Sequence, residues 1–251
     1  MHDFPIAKNL VMACHITGVY DVNRSDTLPD DDYTLVRDWI ESIRELKLQG
    51  ILFHNNFSEA TCSKYQNETI HFVRIKHQPQ FSPNVYRYFL YRDFLCHNHH
   101  NIESLFVTDV SDVIVLCNPF VHPLFLNNPS VIFCGDEPKT LDNKWMKAHS
   151  EHFRDQIIDY ADYEKQFEQE TLLNCGIFGG RIEVMKLFIE KLCSFHQTYN
   201  SDNKTAYTGD MAAFNYFART EFNQNLLHGA PINTVFKAYE KERIDCWFRH
   251  K

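Results

Sequence analysis

The chain is poor in the features that mark non-globular and exported proteins. Only 8 of its 251 residues are glycine and 9 are proline, against 21 phenylalanines and 12 tyrosines, so neither a disordered nor a fibrous composition fits. No stretch approaches the roughly 20 consecutive apolar residues of a membrane span. The opening Met1-His-Asp-Phe-Pro-Ile-Ala-Lys8 has no basic region followed by an apolar core, and the apolar run between Asn9 and His15 is too short for export. The eight cysteines (Cys14, Cys62, Cys96, Cys117, Cys134, Cys175, Cys193 and Cys246) form no Cys-x-x-Cys pair, and several lie inside apolar runs. That pattern reads as reduced thiols in a cytoplasmic protein rather than as a disulfide framework. Positive charge is in deficit: 25 Lys and Arg face 33 Asp and Glu, a formal net charge of −8, which argues against a general nucleic-acid binder. An anionic ligand therefore needs a local device: a metal, a helix N-terminus or a few placed cations.

What is present suffices for a large core. Hydrophobic residues make up 44% of the chain, with no obvious linker, internal repeat or low-complexity tract, and the length suits one α/β domain. Leu10-Val-Met-Ala-Cys14, Gly50-Ile-Leu-Phe-His54, residues 69–75, 105–108 and 113–116, and Val131-Ile-Phe-Cys134 read as strands. Asp30 to Asp32 supply N-cap candidates for a helix with Val36, Trp39, Ile40, Ile43 and Leu46 at helical spacing and Gly50 as its stop. Ser82-Pro83 starts a nearly all-apolar helix over residues 85–95 that still carries Arg87 and Arg92. Residues 141–170 turn polar and acidic and predict helical segments over or beside a site. Residues 181–193 are amphipathic, with Ile182, Met185, Ile189 and Leu192 on one face, and a further helix begins at Gly209. Strands alternating with helices predict a mostly parallel sheet in a three-layer α/β/α sandwich.

The most informative stretch is Ser104-Leu-Phe-Val-Thr-Asp-Val-Ser-Asp-Val-Ile-Val-Leu-Cys-Asn-Pro-Phe120. It sets Asp109 and Asp112 three residues apart on the turn after an apolar strand. In open α/β sheets ligands bind at the carboxyl ends of strands. Two hard oxygen ligands converging there suit Mg²⁺ or Mn²⁺, which can in turn hold a diphosphate, although aspartate is also common in turns for purely structural reasons.

Three further segments complete a recognisable set. Leu173-Asn-Cys-Gly-Ile-Phe-Gly-Gly180 is similar to the Asn-Ser-Gly-Gly/Leu-Phe segment of GT-A glycosyltransferases, which there too precedes a helix. Thr208-Gly-Asp-Met-Ala-Ala-Phe-Asn215 resembles their Asp-Asp-Gln-x-x-Phe segment, and Leu226-Leu-His-Gly-Ala-Pro-Ile-Asn-Thr-Val-Phe-Lys237 their late His-Gly motif. The set, spread over residues 84–240, most resembles the glycosyltransferase domain of collagen-modifying galactosyl- and glucosyltransferases, whose metal motif also has the form Asp-x-x-Asp. The sequence departs from that pattern at Cys175, where Ser is common, at Gly209-Asp210 in place of a doubled Asp, and at Met211 in place of Gln.

The resemblance implies a single-domain GT-A (Rossmann-like) fold. It also implies transfer of a sugar from a nucleoside diphosphate donor, UDP-linked for preference, to a saccharide or protein-linked acceptor with the help of Mn²⁺ (or Mg²⁺). It assigns Asp109, Asp112 and His228 as metal ligands, with Gly229 letting a phosphate approach the backbone. Two carboxylates and a neutral imidazole leave positions on the ion for phosphate oxygens. Arg87 is free to face the diphosphate or a structural aspartate, and Lys237 to reach the diphosphate or to lie solvated. Asn84 contacts the donor or belongs to a helix start. Asp210 orients a reacting hydroxyl or caps its helix, and Asn174 touches the sugar or makes a turn. Asp136 or Glu137 is placed to line the sugar pocket, and Thr17 and Asp21 to meet the base and ribose. Cys96-His-Asn-His-His100 lacks a second Cys/His pair at finger spacing and reads as a solvated turn. A metal-dependent nucleotidyltransferase or phosphoesterase, and a binding module that keeps the fold without the chemistry, stand as competing readings. Against the first, no Gly-rich basic loop follows the first strand, and only two carboxylates cluster.

Overall fold

The computed structural model describes residues 4–21, 25–200 and 209–251, so residues 22–24 of the loop after the first strand and Thr208 lie outside the described residues. In chain order the described strands begin with β1 (Asn9–His15), the short pair β2 (Tyr20–Asp21) and β3 (Asp26–Thr27), β4 (Gln49–His54) and β5 (Ile70–Arg74). They continue with β6 (Ser104–Thr108), β7 (Val113–Val115), β8 (Ile132–Thr140), β9 (Thr171–Arg181), β10 (Leu226–His228) and β11 (Phe248–His250). The described α-helices are α1 (Arg37–Glu45), α2 (Glu59–Tyr65), α3 (Pro83–Asn98), α4 (Pro123–Leu126), α5 (Lys144–Arg154), α6 (Tyr160–Phe167), α7 (Ile182–Tyr199) and α8 (Asp210–Glu221).

Seven strands form one sheet in the order β10-β8-β9-β6-β1-β4-β5. Only β9 runs against its neighbours, β6 and β8, and every other adjacent pair is parallel. The sheet is therefore mostly parallel, as the alternation of apolar strands and helices predicted. Successive strand residues feed two cores. Leu10 and Met12 join one cluster with Tyr88 of α3, Ile189 of α7 and Phe214 of α8, whereas Val11 and Ala13 join another with Trp39 and Ile40 of α1. The period of two along each strand sends neighbours to opposite faces, so both faces are packed.

One expectation fails for a local reason. Gly50 does not stop the first helix; α1 ends at Glu45, Lys47 makes the turn at φ 53°, and Gly50 lies inside β4, parallel to β1 and β5. The apolar run after Asp112 is the expected strand, and it stands outside the main sheet, because β7 pairs antiparallel with β11. The segment 141–170 forms α5 and α6; Trp145 borders the cleft, while Met146, Phe153, Tyr160, Tyr163 and Phe167 are buried in the core. β9, eleven residues of nearly unbroken burial, reads in the sequence only as a motif before a helix.

No helix among the described residues is long and apolar enough to cross a membrane. All eight cysteines are free thiols.

Candidate metal centre

β6 delivers Asp109. Its last residue, Thr108, accepts a hydrogen bond at 2.7 Å from the buried indole of Trp39, and the Asp109 amide donates to the Gly176 carbonyl of β9 at 2.7 Å, so the strand end is held from both sides. Asp112 follows three residues on, immediately before β7. β11 lies against β7 in the register Phe248↔Val115, Arg249↔Ile114, His250↔Val113, and the Lys251 amide donates to the Asp112 carbonyl at 2.8 Å. This pairing carries His250, only 1% exposed, to the Asp pair.

One ligand atom each from Asp109, Asp112 and His250 lie within 4.8 Å of one another, with His250 Nε2 4.0 Å from Asp112 Oδ2. Burial pushes the His250 imidazole down to about 4, so at neutral pH it keeps the free lone pair a metal requires. Its other ring nitrogen, Nδ1, is buried with no hydrogen-bond partner among the described residues, and the edge of the ring meets Phe236 at 4.5 Å. Both carboxylates are about one-third exposed, with side-chain exposures of 35% and 33%, and face solvent above the buried imidazole. The donor set of two carboxylates and one neutral imidazole, with room on the solvent side, fits a hard divalent cation.

Gly176 makes the space. A Cβ there would stand 2.5 Å from Asp109 Oδ2, 2.9 Å from Asn174 Oδ1 and 2.9 Å from His250 Cε1, so any side chain would enter the space between the ligands. Asn174 Oδ1 accepts from the Gly176 amide at 2.7 Å, and its Nδ2 donates to Glu137 Oε1 at 3.0 Å, which ties the neighbouring wall of β8 to the same turn.

The Asp pair stands where two recesses meet. A small one of about 100 Å³ reaches towards the end of β1, and a cleft of about 610 Å³ opens over Glu137, Asn174, Cys175, Asp210, Met211 and Trp145. Asp21, Asn84, Arg87, Asp109, Ser111 and Asp112 border both. Lys237, Phe236 and Tyr239 close the far side of the larger one.

Several expected site residues fall elsewhere. His228 does not reach the Asp pair: β10 lies on the sheet edge beside β8, and His228 Nδ1 meets Asp136 Oδ2 at 2.9 Å. Asp136 is thereby turned to the edge and does not line the cleft. Strand alternation gives that place to Glu137, which is buried and lines it. Gly229 leaves room for Asp136 rather than for a phosphate, since a Cβ there would lie 2.8 Å from Asp136 Oδ2. Thr17 is buried and fully engaged. Its hydroxyl donates to Asp30 at 2.6 Å, and its backbone amide and carbonyl bond Asn55, so it lines neither recess. Cys96-His-Asn-His-His100 ends α3 and the following turn, with His97 and His99 bonded to helix carbonyls.

Asp21, Asn84, Arg87, Asn174, Asp210 and Lys237 all line the cleft as expected. His250, Gly176, Phe236, Tyr239 and Trp145 were not singled out from the sequence. The one available signal was the short apolar run Cys246-Trp-Phe248 ahead of Arg249 and His250.

No protein-family model matches the chain, and no curated protein sequence matches it significantly.

Proposed function

We propose that the chain is a metal-dependent glycosyltransferase of the single-domain GT-A type, acting in the cytoplasm. It would move a sugar from a nucleoside diphosphate donor, UDP-linked for preference, to a saccharide or protein-linked acceptor. The observation that carries this reading is the convergence of Asp109, Asp112 and His250 at the carboxyl end of β6, on the border between a small recess and a larger cleft. A ligand with a compact head and a polar tail that bridges the two spaces passes beside Asp109 and Asp112, which border both.

In this reading Asp109, Asp112 and His250 hold Mn²⁺ (or Mg²⁺), which when bound would supply a Lewis acid for the charge of the departing diphosphate. Asp21 and Asn84 border the small recess and are placed for the nucleoside. Lys237, on the opposite rim, offers a point charge to the diphosphate. Asn174 and Asp210, on the floor beside Glu137, are placed for hydroxyls of the transferred sugar or of the acceptor, and Asp210 is the group placed to take a proton there. A two-metal phosphoesterase needs a second cluster of ligands, and among the described residues Asp109, Asp112 and His250 form the one such group.

Calorimetry with UDP and Mn²⁺ tests this directly. Each ligand should tighten binding of the other by the same factor, because coupling is reciprocal. Equal UDP affinity with and without Mn²⁺ would overturn the reading.

A further inference from the structure

Arg87 reaches the floor of the cleft from α3 with a side chain only 7% exposed. Its Nη1 donates to Asp109 Oδ1 in a short ion pair, and its Nη2 lies 3.4 Å from Asp210 Oδ2, 3.2 Å from Cys175 Sγ and 3.3 Å from the Cys175 carbonyl. Cys175 Sγ in turn lies 3.4 Å from the same Asp210 oxygen. Both terminal nitrogens are therefore committed to protein acceptors, and the buried Nε has no hydrogen-bond partner among the described residues. A guanidinium held in this way is anchored to the protein through both terminal nitrogens. Its planar fork spans two carboxylates on different elements, one after β6 and the other at the start of α8.

The grip on Asp109 has a directional consequence. With Oδ1 turned to Arg87, it is Oδ2 that faces the space beside Gly176 and His250. Asp109 is thereby presented as a one-oxygen ligand. The three carboxylates of Asp109, Asp112 and Asp210 less one guanidinium leave two negative charges on the cluster, which matches a divalent cation.

We propose that Arg87 is a positioning residue that orients Asp109 for the metal and, by sharing its guanidinium with Asp210, couples metal loading to the acceptor side of the cleft. This rests on the proposed metal centre and deepens it. Two effects of removing Arg87 have opposite signs. Loss of a nearby cation favours a divalent ion by simple electrostatics, whereas loss of the orienting partner disfavours it. Partners one step behind metal ligands typically carry 10- to 100-fold in metal affinity, so the second effect is expected to win.

The test is Mn²⁺ binding to the full chain, without nucleotide, measured by calorimetry for the wild type, Arg87→Met, Arg87→Lys, Asp210→Asn and the two double variants. Thermal melting without metal checks that each variant folds. Arg87→Met should bind Mn²⁺ about 10- to 100-fold more weakly. Arg87→Lys keeps the charge but cannot span both carboxylates; it should hold the fold and still bind several-fold more weakly. Asp210→Asn should shift Mn²⁺ affinity in the wild-type background, and that shift should differ by several-fold when Arg87 is replaced, leaving only the direct effect of the lost charge. If Arg87→Met does not fold, the Arg87→Lys pair decides alone. Variants at Arg87 that bind Mn²⁺ as tightly as the wild type, or an Asp210→Asn shift of equal size in both backgrounds, would overturn the proposal while leaving the metal centre standing. A wild-type chain that binds no Mn²⁺ would remove both.

Discussion

Two histidines from the last quarter of the chain end on strands about twenty residues apart, and their fates differ. His228 closes β10, which extends the main sheet at its edge, and its imidazole turns to Asp136 at 2.9 Å, where both partners are about one-quarter exposed. His250 closes β11, which leaves the main sheet, pairs with β7 and sets a buried ring against Asp112. The residue type is the same and so is the strand-end position. The difference lies in which strand each one pairs with, and only the second pairing begins next to the Asp turn.

The anchor of the second arrangement is apolar. Trp247, wholly buried, meets the rings of Phe106, Phe125 and Phe133 at centroid distances of 5.8, 6.5 and 5.4 Å, and its carbonyl accepts from the Leu116 amide at 2.7 Å. The His228–Asp136 pair has no comparable packing behind it. A partly exposed pair of this kind contributes on the order of 1 kcal/mol or less.

The comparison can be broken most severely at the shared carboxylates. Asp109→Ala or Asp112→Ala should abolish metal-dependent UDP binding and lower any metal-stimulated transfer by roughly 10²-fold or more, with melting little changed in Asp112→Ala and lowered in Asp109→Ala, which leaves the buried Arg87 without its closest carboxylate. Full metal stimulation in either variant would mean that the ligands lie elsewhere. Next comes the anchor. Trp247→Ala should cost about 3–5 kcal/mol in denaturant unfolding and weaken Mn²⁺ binding as well, because it releases β11. A variant that loses stability but binds Mn²⁺ normally would show that His250 is not needed.

The two histidines can then be set directly against each other. His250→Ala should weaken Mn²⁺ binding about 10- to 100-fold, and His228→Ala by no more than a few-fold, in the same titration. The opposite ranking would return the ligand role to His228. The smallest effect concerns two buried imidazoles whose desolvation outweighs the pull of a nearby carboxylate, Asp31 for His54 and Asp210 for His196. His54 and His196, both buried, are pushed down to about 4 by desolvation. Unfolded, each takes a proton near its ordinary value of 6.5, so the unfolded state binds more protons between that pH and about 4, and stability falls as pH falls through this window. Between pH 7 and pH 6 the two together should remove roughly 1 kcal/mol, and His196→Gln should flatten the dependence measured by urea unfolding at a series of pH values. A pH-independent midpoint in the wild type would show that neither imidazole is held neutral.

Much of the frame was legible from residue patterns. The apolar runs at the heart of β1, β4 and β6 stand within a residue of where they were expected, because a strand buried on both faces must be apolar throughout and short. The Pro83 start of α3 and the amphipathic stripe of α7 were equally local signals. β9 was not, since its Asn-Cys-Gly-Ile-Phe-Gly-Gly composition carries weak strand propensity and its order comes from pairing with β6 and β8, far apart in sequence.

The candidate site divides in the same way. By itself the sequence determined the two carboxylates at a strand end and Asn84 and Arg87 in the first turns of a helix, because short-range spacing places such side chains, and it pointed to Asn174 and Asp210 through the resemblance of their segments. Tertiary structure alone decided which histidine joins them, that Glu137 and not Asp136 faces the cleft, and that Arg87 is spent on Asp109 and Asp210. Each of those outcomes depends on strand register or on contacts between elements tens of residues apart, and a shift of one residue along a strand reverses which face a side chain occupies.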